Sequence, residues 1–99
     1  MRAEYEKEAD LLVIELERAT EPTKGESIPA GPIIEYLGGR PVAIEVLSAA
    51  SGLSNKLNSV AGHLELDPDT LLRIANLAID NPDTLVSLDL QVRTGQHLH

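Results

Sequence analysis

One run of six residues, Leu11-Leu12-Val13-Ile14-Glu15-Leu16, constrains this chain more than any other. Consecutive Leu, Val and Ile residues favour extended backbone, and in a strand alternate side chains point to opposite faces. Leu12, Ile14 and Leu16 therefore share one face. Leu11 and Val13 share the other, where Glu15 is the only charge. A strand in a sheet with one wet face alternates apolar and polar residues, so a strand apolar on both faces asks for two covers. A helix or a partner subunit is expected over the second face.

The chain has 99 residues, enough for a single domain and too few for two independent cores. Apolar residues make up 42%, too many for a disordered chain. The core has to be built from Leu, Ile, Val and Ala, because Trp and Phe are absent and the aromatics are Tyr5 and Tyr36. Without large rigid anchors, pairing with a second subunit is an attractive way to bury more area, and a homodimer is expected. Sixteen acidic against eight basic residues leave a net charge of −8. Nucleic-acid affinity comes largely from Lys and Arg displacing counterions, so nucleic acid is not an expected partner. Anionic membrane surfaces are disfavoured for the same reason, and a basic protein is favoured. The absence of Cys excludes disulfides, thiolate zinc sites and a Cys nucleophile. The polar start, MRAEYEKEAD, is unlike a signal peptide, and no segment reaches the length of a membrane span. A cytoplasmic protein is expected.

Along the chain, residues 2–5 and 11–16 read as strands. Residues 17–31, with Pro22, Gly25, Pro29 and Gly31, read as a long loop. Residues 32–37 and 40–46 read as a hairpin closed by Gly38-Gly39, since two glycines suit the positive φ angles of a tight primed turn. In that register Ile33 faces Ile44, Ile34 faces Ala43 and Glu35 faces Val42. Pro41 has no N–H, which places its end of the strand at an edge or leaves it unpaired. Residues 47–66 suggest a short helix or turns: Leu53, Leu57 and Val60 are helically spaced, but Asn55, Asn58, Ser59 and Gly62 are poor helix formers. Ser48-Ala-Ala-Ser51 is a candidate helix start. Residues 68–80 predict the main helix, with Asp67 as N-cap, Pro68 in the first turn and an apolar stripe of Leu71, Ile74, Ala75 and Ala78. Asn81-Pro82 ends it. Residues 86–93, VSLDLQVR, alternate as a strand with one wet face. Asp67-Pro-Asp-Thr-Leu71 recurs as Asn81-Pro-Asp-Thr-Leu85, a turn signal used twice.

Tyr5-x-x-Glu8-x-Asp10-x-Leu12-x-Ile14-x-Leu16 resembles the opening of a family of small, mostly bacterial proteins known as domain of unknown function twenty-two eighty-three. The resemblance continues through Gly31, Ile33-Ile34-Glu35-Tyr36, Gly39-Arg40 and Ile44-Glu45-Val46-Leu47. It covers about the first half of the chain and leaves residues 52–99 as an extension. The chain departs from the family pattern at Val13, where members usually carry Tyr, and at Leu37-Gly38, where they usually have an acidic turn. The resemblance implies a compact sheet of about four strands followed by a helix, and no established activity. Through members thought to be encoded beside small basic RNA-cleaving toxins, it also implies an antitoxin-like role.

Glu4, Glu6, Glu8 and Asp10 lie on one side if their segment is extended, as oxygen ligands for Ca²⁺ or Mg²⁺ would. Lys7 among them and the lack of calcium-loop spacing favour a solvated face. Glu8 and Asp10, at the start of a strand, suit turn-forming bonds to backbone N–H groups more than catalysis. Glu45 lies inside an apolar strand and is expected to pair with Arg40 or with a charge on a partner. Buried without a partner, it becomes a site candidate with a raised pKa. His97-Leu98-His99 has two imidazoles and no fixed third ligand, and His63 is distant in sequence, so no metal is expected. No serine elbow, phosphate loop or dinucleotide fingerprint is present, and no cofactor is expected.

The expected fold is α+β: a small antiparallel sheet of four or five strands with one main helix packed on a face. It forms a single domain over residues 1–99, with a sheet core at 1–51 and a helix-plus-strand extension at 52–99. The expected function is a non-enzymatic protein–protein interaction module that shows an acidic surface to a basic partner. The competing reading is a small enzyme or ligand-binding protein using Glu8, Asp10, Glu45 and Tyr36, which requires a concave pocket where they converge.

Overall fold

The computed structural model describes residues 1–88, which fold as α+β. Strands β1 (Arg2–Glu6), β2 (Leu11–Glu15), β3 (Lys24–Ser27), β4 (Ile33–Leu37), β5 (Arg40–Leu47) and β6 (Val86–Ser87) form one antiparallel sheet in the order β3-β4-β5-β2-β1-β6. Helices α1 (Leu53–Leu64) and α2 (Pro68–Asp80) follow β5. The class is the expected one. The element count is not: the described residues hold six strands rather than four or five, and two helices rather than one.

The helices pack on the face that carries Leu12, Ile14, Ile34, Ile44 and Val46. Ile14, Ile44 and Ile34 lie side by side across β2, β5 and β4, and all three are fully buried. Leu57, Val60 and Ala61 of α1 join this core, as do Leu71, Ile74, Ala75 and Ala78 of α2. Aliphatic side chains thus fill the core almost alone, with Tyr5 contributing its ring near the edge.

Four expectations are corrected. The segment 17–31 is not all loop, because β3 pairs with β4 from Lys24↔Tyr36 to Ser27↔Ile33. All four β3 side chains are exposed, so no hydrophobic alternation marks this strand in the sequence. The hairpin does turn at Gly38-Gly39, with φ of 60° and 81° and Leu37 opposite Arg40. Its register, however, shifts at Glu35/Tyr36, so that Ile33 faces Glu45, Ile34 faces Ile44 and Glu35 faces Ala43. Directly opposed residues share a face. Without the irregularity Ile44 would sit beside Ile33 on the outer face; with it, Ile44 joins Ile34 in the core. Pro41 lies past Ala43, the last β5 residue paired with β2, so its missing N–H interrupts no ladder on that side.

The segment 47–66 holds a twelve-residue helix, not a short one or turns. Packing of Leu57, Val60 and Ala61 outweighs the poor intrinsic propensity of its Asn, Ser and Gly residues. Ser48, at φ 51°, belongs to a turn, and the helix begins after Gly52, at φ 67°, with no side-chain cap. Helix α2 matches its expected limits. Asp67 accepts from the Asp69 backbone N–H at 3.3 Å and from the Thr70 hydroxyl at 2.8 Å. At the second copy of that signal Asp83 adopts φ 59° and its N–H donates to the Tyr5 carbonyl at 2.8 Å. This turn sets β6 beside β1. Of the strand expected at 86–93, residues 89–93 lie outside the described residues, as do His97 and His99. No helix among the described residues is long and apolar enough to cross a membrane.

Candidate functional site

Strand alternation sends the side chains between the core positions to the opposite face of the sheet, and no described element covers that face. Its central row reads Glu4, Val13, Glu45, Ile33 across β1, β2, β5 and β4. The row beside it reads Arg2, Glu15, Ala43, Glu35 and then Gly25 of β3. On the other side Leu11 stands between Glu6 and Leu47. Most of these residues are half-buried by their neighbours, and Leu47 is 52% exposed. The two-sided apolar character of β2 is therefore real, and the cover over Leu11 and Val13 is missing from the described chain.

The charge on this face is lopsided. Among the described residues, Glu4, Glu6, Glu15, Glu35 and Glu45 stand against one cation, Arg2, whose Nε donates to Glu15 Oε1 at 2.7 Å. Glu45 does not pair with Arg40, as the sequence suggested; Arg40 bonds Glu17 Oε1 at 3.1 Å. Glu45 lies between Val13 and Ile33, diagonal to Glu35, because the hairpin irregularity moved it there. Loss of hydration raises its pKa above the ordinary 4.5, and the Glu35 carboxylate adds to the rise. Glu35 is held by the Thr23 hydroxyl at 2.7 Å and rests over Gly25, where an added Cβ would come within 3.0 Å of its Oε2.

A carboxyl that binds its proton more tightly when folded lowers stability as pH rises through its folded pKa. Glu45→Gln removes that charge while keeping the shape. We predict a variant more stable than wild type at pH 7, with the gain shrinking as pH falls through the raised folded pKa of Glu45 and gone below pH 4.5, where the carboxyl is protonated in both folded and unfolded chains. Urea unfolding at several pH values checks it; a variant less stable at pH 7 contradicts the desolvated site.

The remaining candidates do not join Glu45. Asp10 lies at the turn before β2, with φ 51°. Its Oδ1 accepts from the Tyr5 hydroxyl at 2.7 Å and from the Ala50 N–H at 2.9 Å. These bonds hold its pKa below the ordinary carboxylate value, the Tyr5 bond contributing most. Glu8 is an exposed residue of the same turn. Tyr36 sits on the helix side of the sheet, its pKa raised by burial first, by the charge of Glu26 second and by its hydrogen bond to Glu26 third. It lies opposite Pro41, whereas Asp10 precedes the Leu11↔Leu47 pair, six residues along β5 or roughly 20 Å away. Glu8, Asp10, Glu45 and Tyr36 therefore occupy three separate places and share no pocket.

Sequence reasoning overlooked Glu35 as a neighbour of Glu45, because the register that joins them depends on the irregularity. It did single out the outer side chains of β2. Among the described residues no group of three His, Cys, Asp or Glu side chains is placed to hold a metal. No family profile, curated protein or solved structure matches the chain.

Proposed function

We propose that this chain is a cytoplasmic, non-enzymatic interaction module whose open sheet face receives a basic protein segment. One observation carries the reading: among the described residues, an apolar strip of Leu11, Val13, Ile33 and Leu47 has no element over it and lies among five carboxylates and a single, already paired arginine. The strip supplies area to bury, and the carboxylates select the sign of the partner. A partner segment alternating Lys or Arg with aliphatic residues complements both. An antitoxin-like role, implied by the resemblance to the small bacterial family, is one setting in which a basic partner arises; that step rests on analogy. The enzyme reading is the weaker one, since its four residues do not converge.

The test is affinity capture from the native host at low salt, run in parallel with wild type and with the Glu4→Lys/Glu45→Lys variant. A basic protein retained in stoichiometric amount by wild type, eluted by salt and lost by the variant is the expected result. No protein retained, or retention indifferent to the two reversals, overturns the reading.

A further inference from the structure

We infer that the free edge of β3 pairs antiparallel with β3 of a second copy of this chain, with Gly25 facing Gly25, joining two six-stranded sheets into one. This rests on the edge of the sheet and not on its open face.

The register follows from hydrogen-bond parity. The Ile28 N–H donates to the Pro32 carbonyl at 2.9 Å, and the β3–β4 pairing continues through Glu26↔Ile34 and Lys24↔Tyr36. In an antiparallel ladder, every second residue turns its N–H and C=O toward the partner strand. Ile28, Glu26 and Lys24 thus bond inward to β4. Thr23, Gly25 and Ser27 turn their backbone groups outward, along an edge that no described strand occupies. Such an edge is a template for another strand.

A two-fold pair has to set outward-facing residues opposite one another, so its centre falls on one residue of this segment. Centring on Lys24 opposes Lys24 to Lys24, and centring on Glu26 opposes Glu26 to Glu26. Both place like charges in close, non-hydrogen-bonded pairs. Centring on Gly25 sets Lys24 against Glu26 twice, and Thr23 against Ser27 twice. Centring on Ser27 sets Gly25 against Pro29, which has no N–H to donate, so the charges and the proline together select the Gly25 register out of the four that β3 offers. Both side chains are available for it: all of β3 is exposed, Lys24 makes no ion pair among the described residues, and Glu26 is engaged only by the Tyr36 hydroxyl. Lys24, Gly25, Glu26 and Tyr36 line a shallow hollow beside this edge. Four residues a side make a small contact, so a weak dimer is expected.

Sedimentation of the full chain over a range of concentrations tests the proposal. Wild type forms a concentration-dependent dimer. Lys24→Glu and Glu26→Lys each replace two attractive pairs by two repulsive ones and raise the dissociation constant by about tenfold or more. The double variant Lys24→Glu/Glu26→Lys restores dimerisation. An equimolar mixture of the two single variants forms a heterodimer, because every pair is again opposite in sign. Circular dichroism confirms that the variants keep their helices. A wild type that stays monomeric at millimolar concentration overturns the proposal. So does a dimer indifferent to these reversals, or one abolished by Val13→Lys, which places the contact on the open face.

Discussion

Ile44→Ala is expected to lower the free energy of unfolding by about 3–4 kcal/mol, within the range for truncating a fully buried aliphatic side chain. Ile44 is fully buried on β5, near the middle of the sheet, with Ile34 on one side and Ile14 on the other. Helices cover all three, so deletion leaves a void that a sheet held from both flanks cannot close. A domain of this size has on the order of 5–15 kcal/mol to lose. Val13→Ala, opposite the very next β5 residue but on the open face, is expected to cost less than about 1 kcal/mol. The contrast is the test, measured by urea unfolding at unchanged m-value. Equal costs show that Val13 is covered, by the segment beyond residue 88 or by another chain, and exclude a free open face.

The same pair of residues shows why the fold was partly legible. The alternation of β2, the Gly38-Gly39 turn and the Asp67-Pro68 helix start are local signals, each produced by residues within a turn or two of where it acts. They were readable because nothing distant changes them. The β4–β5 register was not: two residues of glycine turn fix the closing pair, but the irregularity at Glu35/Tyr36 answers to the need to bury Val42, Ile44 and Val46 together. That is a demand of the whole sheet. Strand β3 and helix α1 were obscured in the same way. Nothing in Lys24-Gly-Glu-Ser27 favours a strand, and Asn55, Asn58 and Gly62 weigh against a helix, yet a paired edge and a packed Leu57-Val60-Ala61 surface form both.

The candidate surface followed a similar division. Leu11 and Val13 were evident as outward-facing apolar residues because strand parity alone decides it. Which carboxylates stand around them depends on register: of the two pairings expected for Glu45, the one with Arg40 does not form, and Glu35 lies beside it instead. The two carboxyl groups are ten residues apart in the chain and meet only through a hairpin whose pairing is displaced by one.

Asp10→Ala is expected to lower the melting temperature by several degrees and to change both ends of the pH profile at once. Asp10 joins two turns that are far apart in sequence. Its carboxylate takes the Tyr5 hydroxyl and the Ala50 N–H, while its backbone carbonyl takes the N–H of buried Ala49 at 3.0 Å. The β1–β2 turn is thereby fastened to the segment that launches α1. Alanine removes both side-chain bonds and is a poor residue for the left-handed backbone at φ 51°, which Asp and Asn tolerate better. Asp10→Asn keeps that tolerance and one acceptor oxygen, so it should fall between wild type and Asp10→Ala at pH 7. The signs of the pH effects are opposite. A carboxyl with a depressed folded pKa stabilises above its ordinary value of 3.8 and loses that contribution as pH falls through the folded value, so the wild-type advantage over Asp10→Asn shrinks in acid. The Tyr5 hydroxyl, donating to Asp10, has its pKa raised above 10.0, the bond to Asp10 contributing most. Its contribution is complete below pH 10.0 and is lost as pH rises through the folded value. In Asp10→Ala the Tyr5 titration, followed by ultraviolet absorbance and assigned with Tyr5→Phe, should move down toward pH 10.0 while that of Tyr36 stays in place. A variant with unchanged Tyr5 titration and an unchanged melting temperature removes Asp10 from this role and returns it to the list of residues whose carboxylate is free for other chemistry.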